Sequence, residues 1–146
     1  MMKKSIFCRT LLLLLTLAAL VSLAACADVE KTGAWETATY DRDREFGEGA
    51  KTITVKVIAE EQELTFTIHT DKENLEEALV EHQLIDGDQG AFGMYIKKVN
   101  GIVADYDTDK TYWALSKGGV ESATGANGAI LADGDCYELT KTVSAW

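Results

Sequence analysis

The spacing of apolar positions changes along the chain, and each change marks an element. Residues 11–15 and 17–21 form an apolar run interrupted only by Thr16. Residues 27–50 are polar and charged with no sustained apolar period, which predicts a flexible tether over 26–50. From Lys51 the pattern becomes regular. Ile53, Val55 and Val57 alternate with Thr54 and Lys56, and Leu64, Phe66 and Ile68 alternate with Thr65, Thr67 and His69. A period of two puts one face of each strand in a core, so these segments predict a hairpin turning at residues 60–63.

The period then lengthens. Thr70-Asp71-Lys72-Glu73 has the form of a capping box. Leu75, Ala78, Leu79 and His82 share one helical face, with Asp86-Gly87-Asp88 as the expected stop. Strand patterning returns at 92–99 and meets Asn100-Gly101, a strong hairpin signal, before Ile102. A polar loop at 105–110, strands at 112–116 and 136–143, and turns at Gly118-Gly119 and Asp133-Gly134-Asp135 complete the chain. Two strands, one helix and several further strands predict a single α+β domain over 51–146, a mixed sheet packed on one helix in the manner of a ubiquitin-like β-grasp.

Composition changes the picture mainly at the N-terminus. Lys3, Lys4 and Arg9 precede the apolar run, and Leu23-Ala24-Ala25-Cys26 follows it. Charge, apolar helix and small residues before a cut are the parts of an export signal. Cysteine directly after Ala25 supplies the thiol that takes a diacylglyceryl group, and the four residues resemble the bacterial lipobox. The expected product is a lipoprotein that loses residues 1–25. It would be held through lipid on Cys26 at the extracytoplasmic face of the cell membrane. With palmitate-like acyl chains contributing ~0.8 kcal/mol per buried methylene, such attachment is stable.

The net charge is −10, and the leader contributes three basic residues and no acid. A surface this acidic repels phosphate backbones, so nucleic acid is not an expected partner. Cys8 leaves with the leader and Cys26 is modified, so Cys136 is the one thiol left in the domain. Stability must then come from the core without an internal disulfide.

Over residues 51–143 the chain resembles the transcobalamin-like C-terminal domain family. The likeness is carried by Leu75-Glu76-Glu77-Ala78-Leu79 with Leu84-Ile85, by residues 95–101 (Tyr-Ile-Lys-Lys-Val-Asn-Gly), and by Tyr112-Trp113 and Gly134-Asp135. In bacteria this is a domain of unknown function on surface lipoproteins, and in animal cobalamin carriers it closes over the corrinoid. The resemblance implies the β-grasp fold and a ligand-binding role, with a corrinoid or similar small molecule as ligand. Ala114-Leu115-Ser116-Lys117 stands where many relatives continue with aromatic residues, which reduces the aromatic surface.

For chemistry the inventory is short. His69 and His82 are the two histidines, and no nucleophile, base and orienter fall into a recognisable arrangement, so no catalysis is expected. Asp105, Asp107 and Asp109 are spaced as in calcium loops, but Lys110 and Ser116 stand where such a loop needs glycine and glutamate. They are a weak metal candidate. Tyr112 and Trp113 point to opposite faces of a strand, and with Tyr106 they are the candidate ligand-binding residues. The alternative use of the same face is contact with a surface protein, as an adhesion or interaction module.

Overall fold

The computed structural model describes residues 28–146, so the leader and Cys26 lie outside the described residues. Among these residues are nine strands and two short helices. They are β1 (Arg44–Phe46), β2 (Lys51–Ala59), β3 (Gln62–Thr70), α1 (Leu75–Glu81), β4 (Ile85–Gly90) and β5 (Gly93–Val99). After these come β6 (Ile102–Val103), α2 (Tyr106–Asp109), β7 (Thr111–Lys117), β8 (Val120–Glu121) and β9 (Cys136–Val143). The fold is α+β. One mixed sheet has the order β1-β3-β2-β9-β7-β8, and a second, smaller sheet is β4-β5-β6. β9 runs parallel to β2 and antiparallel to β7.

The β2–β3 hairpin forms as its alternation demands. Ile53, Val55 and Val57 face Ile68, Phe66 and Leu64 across the ladder, and their buried side chains, with Ala59, form the floor of the core. Leu75, Ala78 and Leu79 of α1 are fully buried. Asn100 and Gly101 both have positive φ, at 51° and 78°, which is the conformation a two-residue β5–β6 turn requires and Asn-Gly tolerates.

The tether expected over 26–50 is corrected by the packing: residues 28–50 belong to the domain. Trp35, in a 3₁₀ turn at Gly33–Thr37, has no solvent exposure, and its Nε1 donates to Ala59 O at 3.0 Å. β1 pairs in parallel with β3, and Tyr40 and Phe46 close on Phe66 with ring centroids 5.4–5.9 Å apart. Apolar anchors set far apart give no periodic signal, yet each fills a gap that the hairpin leaves open.

The helix boundaries also differ. The cap is Asn74, whose Oδ1 accepts from Glu77 N at 2.9 Å. Thr70 instead turns back on its own loop, accepting from Lys72 N, and Asp71 accepts from Ala50 N. The helix stops before Asp86. Gln83 takes φ 56°, with Gln83 N bonded to Val80 O and Leu84 N to Leu79 O, a Schellman closure made without glycine. This frees Asp86-Gly87-Asp88 to form β4, the strand that gives the second sheet. Among the described residues no helix is long and apolar enough to cross a membrane.

Candidate functional site

A hollow of about 440 Å³ opens where β5, α2, β7 and the segment after β9 meet, lined by Tyr95, Tyr106, Tyr112, Val143, Ser144, Ala145 and Trp146. Alternation along β7 aims Tyr112 at it, because Thr111 and Trp113 on either side are buried. Alternation along β5 leaves Tyr95 half exposed on the outer face. Ser144 N donates to Lys110 O at 2.8 Å, which ties the Trp146 segment to the junction between α2 and β7.

Tyr106 is held by a compact set of local bonds. Asp105 caps the turn by accepting from Asp107 N at 3.0 Å, and Asp109 accepts from Thr111 Oγ1 at 2.5 Å and Thr111 N at 3.0 Å. The Thr111 hydroxyl, then the Thr111 amide, hold the Asp109 carboxyl below its ordinary range. A carboxylate that binds its proton less tightly folded than unfolded stabilises the fold fully above its unfolded value, near pH 4. That contribution disappears as pH falls through the lower folded value. Asp109→Asn should therefore melt below the parent at neutral pH, with the difference shrinking once the pH drops under 4. A gap that stays constant down to pH 2, read by circular dichroism, would show that the carboxylate is not what holds the turn.

Of the residues expected from sequence, Tyr106 and Tyr112 come together at the hollow and Trp113 does not. Trp113 lies in the core at 8% exposure, and its Nε1 is buried without a hydrogen-bond partner among the described residues. Tyr95 and Trp146 complete the lining and were missed. Strand alternation could have pointed to Tyr95, but nothing local signals Trp146. Asp105 and Asp109 spend oxygens on the turn itself, and among the described residues no three His, Cys, Asp or Glu side chains are gathered to hold a metal ion. Cys136 is a half-buried free thiol on β9.

A second, polar cleft of about 430 Å³ brings both histidines together beside Gly47–Gly49 and Thr70–Lys72. Both ring nitrogens of His69 are already engaged, with Thr52 Oγ1 at 2.9 Å and Glu45 Oε1 at 2.5 Å. His82 stacks on Phe46 at 5.2 Å. These contacts fasten β1 to β3 and α1, so the cleft is a seam of the fold.

Residues 72–139 match a family model described as a domain of unknown function, DUF4430. A crystal structure from Ruminococcus gnavus, described as a "putative metal binding protein", is 38% identical with a TM-score of 0.61, covering 64% of this chain and 98% of that one. This chain belongs to the same family as that protein. Haptocorrin in complex with Cbi aligns at 20% identity and a TM-score of 0.50, over 67% of this chain and 26% of the haptocorrin chain. That likeness is one of fold, and this chain spans about a quarter of haptocorrin. No curated protein matches the sequence.

Proposed function

We propose that this chain is an extracytoplasmic lipoprotein, anchored through lipid on Cys26, whose β-grasp module binds a small molecule without catalysis. The observation that carries the binding reading is the aromatic hollow. Three tyrosines and a tryptophan line a concavity of about 440 Å³, within the range of small-molecule sites. The strand order supports the β-grasp description, with β9 parallel to β2 beside the first hairpin and α1 packed on the core. Haptocorrin shares the fold and is complexed with Cbi, which makes a corrinoid the first ligand to try.

The test is a titration of the purified protein with cobinamide and cobalamin, following tryptophan emission. Trp146 is 93% exposed and lines the hollow, whereas Trp35 and Trp113 are buried, so ligand at the hollow should quench the exposed component. Saturable quenching that Tyr112→Ala abolishes would support the site. Absent quenching, with capture of a surface protein that Tyr112→Ala releases, would favour the interaction module instead. Mass spectrometry of the membrane-extracted protein tests the anchor separately, since an unmodified Cys26 would remove it.

A further inference from the structure

Going one step past the binding reading, on which it rests, we infer that the hollow receives an organic cation, an alkylated ammonium group seated on the faces of Tyr95, Tyr106, Tyr112 and Trp146. Tyrosine and tryptophan present negative ring faces, and a cage of them recognises quaternary ammonium groups. The remaining wall, Val143 to Ala145, brings neither carboxylate nor ammonium. The side-chain acceptors of the lining are the tyrosine hydroxyls and Ser144, none of them charged, so a strongly hydrated primary ammonium regains little there, whereas an alkylated one has little hydration to lose.

One of these rings already meets a cation. Lys110 Nζ lies 4.7 Å from the centroid of the Tyr106 ring, so one ring of the hollow already holds a cation. Lys110 has φ 59°, the left-handed conformation that closes α2, and this places its side chain beside the ring that it covers. The wider field has the matching sign. The chain carries a net charge of −10, and Asp105, Asp107 and Asp109 sit on the loop that bears Tyr106. Lys97 is close enough to feel Asp105 and Asp107, but its ammonium is bound to Asp88 at 2.6 Å. Lys141 feels Asp109. An incoming cation would be drawn by the overall charge.

The experiment uses the full chain in uncharged maltoside micelles, titrated calorimetrically with choline and with its neutral isostere 3,3-dimethylbutan-1-ol. Choline should saturate the protein, with the isostere about tenfold weaker or worse. Tyr106→Phe should keep the binding and Tyr106→Ala should lose it. Lys110→Gln should tighten it severalfold by removing a like charge 4.7 Å from the Tyr106 ring. The inference is overturned if choline does not bind the folded protein, if the isostere binds equally well, or if Lys110→Gln weakens choline or leaves it unchanged. Corrinoid quenching that persists while choline fails would leave the binding reading standing and remove this inference alone; silence from both ligands would remove both.

Discussion

Replacing Trp35 with alanine should lower the melting temperature by about 10–20 °C, a loss of about 3–5 kcal/mol. The indole is completely buried between the 3₁₀ turn and the sheet, and it also satisfies the Ala59 carbonyl at the end of β2. Truncation removes a large apolar surface, leaves a cavity and orphans that carbonyl. Trp35→Phe should restore much of the packing while forfeiting the hydrogen bond, and so fall between the parent and the alanine variant. Thermal melts followed by far-ultraviolet circular dichroism decide the matter. A Trp35→Ala melt within two or three degrees of the parent would mean that residues 28–50 do not contribute to the core.

The second large effect belongs to Asn100→Ala, with an expected cost of about 2–4 kcal/mol. The Asn100 side chain is 1% exposed and grips Tyr40 from both sides, accepting from Tyr40 N at 2.9 Å and donating to Tyr40 O at 3.0 Å. Its own carbonyl accepts from Thr39 N at 2.8 Å. One residue thus closes the β5–β6 turn and pins the N-terminal segment to it. Alanine would lose both side-chain bonds and sit at a positive φ that it adopts reluctantly. Asn100→Gly separates these contributions, because glycine removes the bonds but accepts the backbone angle. If Asn100→Gly matches the parent in denaturant midpoint, the strain at the turn is what matters and the grip on Tyr40 contributes little.

These two residues also show where sequence reading reached and where it stopped. Asn100 was legible as half of an Asn-Gly turn, because turn chemistry is local. Its bonds to Tyr40 cross sixty positions and leave no local trace. Trp35 was visible as an aromatic among polar neighbours, but nothing nearby shows whether such a ring is docked or loose. The helix start was misplaced because Thr70-Asp71-Lys72-Glu73 and Asn74 both offer capping side chains, and Asn74 is the one that meets the first buried leucine. The hollow was half legible. Tyr106 and Tyr112 lie close in sequence, while Tyr95 and Trp146 arrive from a neighbouring sheet and from the segment beyond β9.

By itself the sequence determined the α+β class, the β2–β3 hairpin, the apolar face of α1, the Asn-Gly turn and the last strand. It also carried the expectation of lipid attachment at Cys26. Each depends on periodicity or on neighbours a few residues apart. Only the tertiary structure decided that 28–50 is part of the core, that a second sheet exists, that Trp113 faces inward and that four aromatic rings share one hollow. Those facts depend on which distant segments come to lie side by side, and the closing of long loops is governed by the packing of the whole chain.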